Sequence, residues 1–198
     1  MPSAGPPATE IGPNVLTFGA RDAAGAARLA LLDRDGVLIV DHVHVSARAQ
    51  VEWIAGAPQA IRSLQDAGYA VVIVTNQAGI AKGLYSEEQF VELMRWIVSE
   101  LARDGALIAA VYYCPHHPTD GRPPYLVDCL CRKPKPGMLL RALEDAGATP
   151  AHSLMIGDKQ TDIQAAQAAG VPGHLFSGGD LGEFVRRLLQ RSPQPQGA

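Results

Sequence analysis

Two aspartates at the end of an apolar run are the residues whose types and spacing best suit chemistry. Leu29–Leu32 is continuously apolar, and Asp33 and Asp35 follow it. Buried parallel strands have this composition, and open α/β sheets bind their ligands at the carboxyl ends of such strands. Because residues i and i+2 of a strand face the same side, the two carboxylates can converge on one bound group. The alternative is a surface turn with two solvated acids.

Three later points in the chain carry polar residues that suit the same site. Thr75 and Asn76 end a second apolar strand, Lys133 follows a Pro-rich loop, and Asp158 and Asp162 follow another short strand. The carboxyl ends of parallel strands lie at one edge of the sheet, so these side chains can meet. Taken singly, Thr75 with Asn76 is a plain turn and Asp162 is an acid at a helix N-terminus.

All three cysteines lie in one irregular loop, together with a histidine in register. Cys114 and His116 form a Cys-x-His pair, and Cys129 and Cys131 form a Cys-x-Cys pair. Three thiolates and one imidazole are the ligands of a closed tetrahedral zinc site, which has no position for an activated water. The sequence therefore predicts structural zinc, with His117 as a weaker ligand candidate. The alternative is three buried free cysteines.

Strands alternate with helices along the chain, which predicts how these residues are positioned. The predicted strands are 29–32, 69–74, 107–113, 153–156 and 173–176, and the predicted helices begin near Pro58, Ser86, Met138, Thr161 and Asp180. A hairpin-like flap is predicted over residues 39–53. The expected fold is a three-layer α/β/α sandwich with a mostly parallel, Rossmann-like sheet.

Composition limits the classes of function. The 198 residues carry a formal charge of −3, without a basic run of five or more, so an extended nucleic-acid or membrane surface is not expected. No secretory signal or membrane span is predicted, and three cysteines favour a reducing compartment, the cytoplasm. We expect a flexible arm over 1–27, in which 15–18 is the only candidate strand, a catalytic domain over 28–191, and a tail over 192–198.

Together, four motifs resemble those of the haloacid dehalogenase superfamily of phosphotransferases. They read Asp33-Arg34-Asp35-Gly36-Val37, Val74-Thr75-Asn76-Gln77, Arg132-Lys133-Pro134 and Gly157-Asp158-Lys159-Gln160-Thr161-Asp162. The resemblance implies a phosphatase with an aspartyl-phosphate intermediate. Asp33 would be the nucleophile, and Asp35 would protonate the leaving oxygen and later take a proton from water. Thr75 and Lys133 would hold the phosphoryl oxygens.

The same resemblance implies a magnesium site. Asp33, the backbone carbonyl of Asp35, and Asp158 would bind Mg²⁺, a hard cation that prefers oxygen ligands. Asp162 would support the site without touching the ion, or would orient a lysine. By this resemblance Arg34 is a structural or substrate contact rather than a catalyst.

Longer segments narrow the resemblance to the heptose 1,7-bisphosphate 7-phosphatase family, over about residues 30–176. They are Thr-Asn-Gln-x-Gly-Ile-Ala-Lys-Gly from Thr75, Cys-Pro-His-His-Pro from Cys114, and Cys-x-Cys-Arg-Lys-Pro-x-Pro-Gly-Met from Cys129. The family implies a small enzyme without a cap domain that removes the C7 phosphate and leaves heptose 1-phosphate. The implied substrate contacts are Arg34, Asp41, His42, Asn76, Gln77, Arg132 and Lys159. Two departures, Ala78 and Val37-Leu38-Ile39, bear on the sugar or its anomer.

Alternatives remain at this point. Histidinol-phosphate phosphatase shares the implied fold and zinc loop, a polynucleotide 3′-phosphatase shares the Thr-Asn-Gln-x-Gly-Ile segment, and a non-catalytic, zinc-stabilised binding module is a third possibility. The expected partner is a small phosphorylated sugar, without nucleic acid or membrane, and the expected state is a monomer. Arg132, Lys133, Lys135 and Lys82 offer more positive charge than one phosphoryl group needs, which predicts a second substrate phosphate. Alternatively, Lys82 and Lys135 are merely solvated.

Overall fold

A six-stranded sheet with its carboxyl edge at the predicted motifs forms the centre of the protein. The computed structural model describes residues 14–17 and 25–191. The strands are β1 (Asn14–Thr17), β2 (Leu29–Leu32), β3 (Ala70–Asn76), β4 (Ala110–Cys114), β5 (Leu154–Gly157) and β6 (Gly173–Leu175), in the spatial order β1-β4-β3-β2-β5-β6. All neighbouring pairs are parallel except β1 with β4. The mostly parallel sheet of the prediction is confirmed.

Helices cover both faces of this sheet. They are α1 (Ala57–Asp66), α2 (Ala78–Lys82), α3 (Glu87–Arg103), α4 (Gly137–Ala146), α5 (Gln160–Ala168) and α6 (Leu181–Arg191). Successive residues of β2 enter opposite cores: Leu32 packs in the core formed with α1, α3 and α6, whereas Leu31 packs in the core formed with α4 and α5. A strand buried on both faces must be apolar throughout, which accounts for the continuous run in the sequence. The three-layer sandwich is confirmed.

A local sequence signal sets the start of α3. Ser86 caps α3, because its hydroxyl accepts a hydrogen bond from the backbone N–H of Gln89, whose side chain accepts one from the N–H of Ser86. The predicted flap is held by an antiparallel bridge between Ile39 and Trp53. The five-residue helix α2 was not predicted, and β4 begins three residues later than the predicted strand.

One carboxylate on α3 links the edge strand β1 to β4 and to the cysteine loop. Glu87, the first residue of α3, accepts hydrogen bonds from the Asn14 amide and from the hydroxyls of Tyr113 and Tyr125. Tyr113 lies on β4, and Tyr125 lies in the cysteine loop. β1 covers residues 15–17 of the candidate strand in the predicted arm and begins one residue earlier, at Asn14, whereas Phe18 lies outside the described residues. Most of that arm and the predicted tail 192–198 also lie outside them.

Among the described residues, no helix combines the length and apolar character needed to cross a membrane.

Candidate active site

Strand order brings the separated motifs to one edge of the sheet. The chain proceeds from β2 through β3 to β4 on one side, and later adds β5 on the other side of β2. Such a change of direction leaves a crevice at the carboxyl ends of the strands. Asp33 follows β2, Thr75 lies near the end of β3, and Asp158 follows β5. The expected meeting of strand ends is therefore observed.

Lys133 reaches this edge from the loop before α4, and Asn76 holds it there. The Asn76 side chain donates to the backbone carbonyl of Lys133 at 3.0 Å and accepts from its backbone N–H at 3.1 Å. Both groups of this amide are therefore bonded to protein backbone. This geometry favours a role for Asn76 in placing Lys133, in addition to the substrate contact that the sequence predicted.

The Lys133 ammonium is buried between two carboxylates. Its Nζ lies 2.9 Å from Asp33 Oδ1 and 2.6 Å from Asp162 Oδ1, and it donates to the carbonyl of Val74 at 2.8 Å. Burial alone would lower the pKa of Lys133, but the two carboxylates raise it above its ordinary value, so the ammonium stays charged. Asp162 therefore contacts Lys133 directly, which is one of its two predicted roles.

The geometry of three carboxylates fits a cation. Burial raises the pKa of Asp33 from 3.8 to about 7, although the Lys133 ammonium opposes this shift. Burial likewise raises the pKa of Asp158. Asp33 Oδ1, apart from the lysine, and Asp158 Oδ1 are buried without a hydrogen-bond partner. One oxygen each of Asp33, Asp158 and Asp162 lie within 4.8 Å of one another, which suits a hard cation such as Mg²⁺.

Gly36 makes room for this group of carboxylates. Its φ is 79°, and a Cβ at this position would lie 2.3 Å from Asp158 Oδ2. Any other residue would strain the backbone and displace that carboxylate. The glycine turn after the two aspartates is thus required by the site itself.

Arg34 is almost completely buried and turns toward Asp35. Its guanidinium Nη2 lies 2.9 Å from Asp35 Oδ1 and donates to the carbonyl of Val45 at 3.2 Å. The side chain of Arg34 is 1% exposed, whereas that of Asp35 is 17% exposed. Of the two roles predicted for Arg34, this position favours the structural contact.

The Gln77 amide connects Asp35 with Thr75 and with a tyrosine that sequence reasoning missed. Its Nε2 donates to Thr75 Oγ1 at 2.9 Å and to Asp35 Oδ2 at 3.2 Å, and its Oε1 accepts from the Tyr85 hydroxyl at 2.7 Å. Gln77 is 2% exposed. No sequence spacing points to Tyr85, because its approach to Gln77 depends on the short helix α2 that turns the chain back.

The flap supplies polar groups at the outer side of the site. Asp41 accepts a hydrogen bond from Lys159 Nζ at 2.8 Å, across 118 residues of sequence. Burial favours a higher pKa for Asp41, but the hydrogen bond from Lys159 and the backbone N–H of Val43 hold it below its usual range. His42 contacts Glu52 at 2.9 Å and is exposed. The predicted contacts Asp41 and Lys159 are therefore paired with each other.

The four predicted zinc ligands converge in a second buried cluster. The Sγ atom of Cys131 lies 3.0 Å from that of Cys114 and 3.1 Å from that of Cys129, and His116 Nδ1 lies 3.6 Å from Cys131 Sγ. Ligand atoms of all four residues lie within 4.8 Å of one another, and the cysteines form no disulfide. Hydrogen bonds among the three thiols lower the pKa of Cys129 and raise that of Cys114. This donor set can hold a metal ion of the zinc type, whereas His117 is outside the cluster.

The basic residues expected near a second phosphate differ in their surroundings. Arg132 donates to the carbonyl of His116 at 3.2 Å. Lys82 pairs with Asp120 at 3.0 Å, and Lys135 pairs with Asp128. The two lysines are thus neutralised locally by exposed carboxylates.

Comparison with known proteins agrees with this geometry. Residues 30–93 match the haloacid dehalogenase-like hydrolase family, and residues 130–193 match the HAD-hydrolase-like family. The crystal structure of D,D-heptose 1.7-bisphosphate phosphatase from B. bronchiseptica, complexed with magnesium and phosphate, is similar with a TM-score of 0.74 and 31% identity. The match covers 83% of this chain and 99% of that chain.

Curated relatives narrow the family further. A protein from Rhodopseudomonas palustris, named D-glycero-beta-D-manno-heptose-1,7-bisphosphate 7-phosphatase, is 43% identical over 81% of this chain and 89% of its own length. A protein of the same name from Vibrio cholerae serotype O1 is 47% identical over 71% of this chain and 75% of its own length. These similarities confirm the resemblance inferred from the motifs. The chain belongs to the D-glycero-beta-D-manno-heptose-1,7-bisphosphate 7-phosphatase family of the haloacid dehalogenase superfamily.

Proposed function

We propose that the protein hydrolyses the C7 phosphate of D-glycero-beta-D-manno-heptose 1,7-bisphosphate and leaves the 1-phosphate. The names of the curated relatives support the substrate and the beta anomer. The observation that carries the chemistry is the buried Asp33 carboxylate, whose Oδ1 meets only the Lys133 ammonium at 2.9 Å. A poorly solvated carboxylate held at one point of a crevice is suited to attack phosphorus.

The proposed reaction has two steps, formation and hydrolysis of an aspartyl phosphate. Asp33 attacks phosphorus, the bond between phosphorus and the C7 oxygen breaks, and Asp35 supplies the proton that this oxygen needs as it leaves. Water then attacks the aspartyl phosphate, and the Asp35 carboxylate takes a proton from that water. Inorganic phosphate leaves, and Asp33 regains its carboxylate.

The chain's own donors hold the phosphoryl group during these steps. Lys133 stays charged between Asp33 and Asp162, so its ammonium attracts the phosphoryl oxygens. The Thr75 hydroxyl accepts from Gln77, and its own hydrogen is therefore free to donate to a phosphoryl oxygen. Charge neutralisation and alignment account for most of the catalysis of phosphoryl transfer.

Two metals complete the proposal. Asp33, the Asp35 carbonyl and Asp158 would hold Mg²⁺, supported by Asp162, and the ion would neutralise charge on the phosphoryl oxygens. The unpartnered, buried Oδ1 of Asp158 and the proximity of the three carboxylates support this assignment. Cys114, His116, Cys129 and Cys131 would hold Zn²⁺ as a structural ion. Metal-bound rather than disulfide-bonded cysteines suit a reducing compartment, the cytoplasm.

Substrate selection depends on residues around the crevice. Asp41 and Lys159 neutralise each other at its outer side, so a polyhydroxy sugar with a distant phosphate can exchange hydrogen bonds with both. Arg132 lies beside the cysteine cluster and is the better candidate for the second phosphate, because Lys82 and Lys135 already pair with aspartates. Binding energy from that phosphate would raise the rate at C7.

A substrate panel tests the proposed function. With Mg²⁺ present, we expect the highest kcat/KM for the beta anomer of the heptose 1,7-bisphosphate and a steep loss for a heptose 7-phosphate without the 1-phosphate. The panel includes the alpha anomer, fructose 1,6-bisphosphate, histidinol phosphate and a 3′-phosphorylated oligonucleotide. A higher kcat/KM for histidinol phosphate would assign the protein to that reaction, and equal values for mono- and bisphosphates would remove the role of Arg132.

A further inference from the structure

The side chain of Gln77 is held by three protein groups in a buried position. Its amide nitrogen donates to Thr75 Oγ1 and Asp35 Oδ2, and its amide oxygen accepts from the Tyr85 hydroxyl. Each hydrogen-bonding group of the amide, including both N–H bonds, thus has a partner within the protein. A residue with this arrangement is suited to orienting its neighbours.

Space for the Tyr85 ring is provided by a glycine in α2. A Cβ on Gly79 would lie 2.2 Å from Tyr85 Cε1 and 2.6 Å from its hydroxyl oxygen. Gly79 has an ordinary helical backbone, so it is needed here for the close approach rather than for a left-handed φ. The ring therefore packs directly on α2 and directs its hydroxyl at Gln77.

Tyr85 fixes the direction in which the amide points. Burial raises the pKa of Tyr85 to about 12, so the phenol keeps its proton and donates it to the amide oxygen. If the amide were reversed, its oxygen would face the Asp35 carboxylate, and two acceptors would oppose each other. The phenol and the carboxylate thus select the same orientation.

We propose that Tyr85 and Gln77 are positioning residues, in which Tyr85 sets the polarity of the Gln77 amide and the amide orients the Asp35 carboxylate and the Thr75 hydroxyl for reaction. This inference rests on the proposed function, because it takes from it the proton transfer by Asp35. The hydrogen bonds of Gln77 go to Asp35, Thr75 and Tyr85, so we assign both residues an effect exerted through Asp35 and Thr75. Arg34 also contacts both oxygens of the Asp35 carboxylate, so Gln77 supplies a second restraint, at Oδ2.

This positioning role predicts that the loss of kcat/KM in the variants depends on the leaving group of the substrate. A sugar alkoxide is a poor leaving group and needs a proton from Asp35, whereas 4-nitrophenolate leaves without one. A disoriented Asp35 should therefore lower kcat/KM for alkyl phosphates much more than for 4-nitrophenyl phosphate. Thr75 is proposed to hold the phosphoryl group of either substrate. A disoriented Thr75 hydroxyl should therefore lower kcat/KM for both substrates by the same factor.

The experiment measures kcat/KM of Tyr85→Phe, Gln77→Leu and the double variant on both substrate types, with Mg²⁺ present. For the heptose bisphosphate we expect losses of about 10-fold for Tyr85→Phe and about 100-fold for Gln77→Leu. For 4-nitrophenyl phosphate we expect kcat/KM to fall by less than about 3-fold in Tyr85→Phe and by about 10-fold in Gln77→Leu. Since Tyr85 acts through Gln77, the double variant should match Gln77→Leu alone.

Tyr112→Phe is the matched control. It also removes the hydroxyl of a buried tyrosine, which donates to Asp145 Oδ2 at 3.1 Å outside the site. It should leave both kcat/KM values unchanged. If Gln77→Leu does not fold, Gln77→Glu tests the same point, since it keeps the shape and places an acceptor against Asp35.

Equal losses on the two substrate types would overturn the inference, and so would additive losses in the double variant. Failure of the proposed substrate is a separate result. If the wild type rejects the heptose bisphosphate, any alkyl phosphate that it does hydrolyse replaces it in the comparison, and the ratio of alkyl to aryl losses still decides the role of Tyr85.

Discussion

The carboxylate cluster at the sheet edge and the cysteine cluster in the loop are both buried, but they are assembled in different ways. Asp33, Thr75 and Asp158 are placed by separate strands, which the two apolar cores hold in register. The cysteine cluster lies at the end of β4 and in residues 115–131, where the described chain has neither helix nor strand. The strands therefore position the first cluster, whereas three of the four residues of the second lie in a loop without regular structure.

This difference predicts that mutations in the carboxylate cluster mainly reduce activity, whereas mutations in the cysteine cluster mainly reduce stability. Burial raises the pKa of Asp33, and the neighbouring charges of Asp162 and Asp35 raise it further, so the fold holds these carboxylates together against their repulsion. Removing such a group should affect the rate more than the fold. The proposed zinc would order a loop that has no regular structure, so removing one of its ligands should affect the fold first.

The largest expected effect is on turnover. Asp33→Asn keeps the shape of the side chain but removes the nucleophile, and kcat should fall by at least about 10⁴-fold. The thermal midpoint should stay the same or rise, because a poorly solvated charge is gone. Asp66→Asn, an exposed change at the end of α1, is the control for both measurements. Near wild-type turnover would exclude the covalent mechanism.

Asp35→Asn should reduce both turnover and thermal stability. We expect kcat to fall by about 10²- to 10⁴-fold, because the proton donor is lost. Unlike Asp33→Asn, it also leaves the Arg34 guanidinium buried without its carboxylate, so the thermal midpoint should fall by about 5 to 10 °C. Adding Arg34→Met should restore part of that midpoint without restoring kcat. An unchanged midpoint in Asp35→Asn would show that Arg34 has another counter-ion.

For the cysteine cluster, stability is the expected readout. Cys131→Ser should abolish retention of zinc through purification and lower the thermal midpoint by about 10 °C or more. Elemental analysis should find one zinc per wild-type chain. Chelator treatment should bring the wild type to the midpoint of the variant, and added zinc should restore the wild type alone. Wild-type protein that contains no metal and is unaffected by chelator would contradict the zinc assignment.

The smallest effect concerns pH in magnesium-free buffer. Burial raises the pKa of Asp33 from 3.8 to about 7, so the folded state binds this proton more tightly than the unfolded state. The resulting stability is fully present below about pH 4 and is lost as pH rises to about 7. The thermal midpoint of the wild type should therefore fall relative to that of Asp33→Asn by about 5 °C across this range. Saturating Mg²⁺ should remove this pH-dependent difference between the two midpoints. A wild-type midpoint that rises relative to that of Asp33→Asn would refute the raised pKa of Asp33.

The sequence predicted much of this molecule because its signals are local. The continuous apolar runs of β2 and β3, the capping box at Ser86, and the motif residues at strand ends follow from burial and hydrogen-bonding rules that act within a few residues. Parallel strands have their carboxyl ends at the same edge of the sheet, so Asp33 and Asp158 could be assigned to one site from the sequence alone.

What could not be predicted depends on contacts between distant elements. Arg34 would ordinarily be solvated, and its burial follows from the packing of the flap and α3 around its guanidinium. The contact between Tyr85 and Gln77 requires the unpredicted helix α2. Glu87 reads as a first-turn acid of α3, although it also binds three side chains from β1, β4 and the cysteine loop.

The antiparallel strand β1 has a consequence for how copies of the chain meet. Every residue of β4 is buried, and its sequence Ala-Val-Tyr-Tyr-Cys is strongly β-forming. Without β1, the free edge of β4 would present a row of unpaired backbone amides and carbonyls, a template on which a second chain can add a strand. β1 satisfies those groups from within the same chain and ends the sheet in a strand of only four residues. On that side of the sheet, a second chain would therefore meet the four residues of β1 and not the longer, apolar β4.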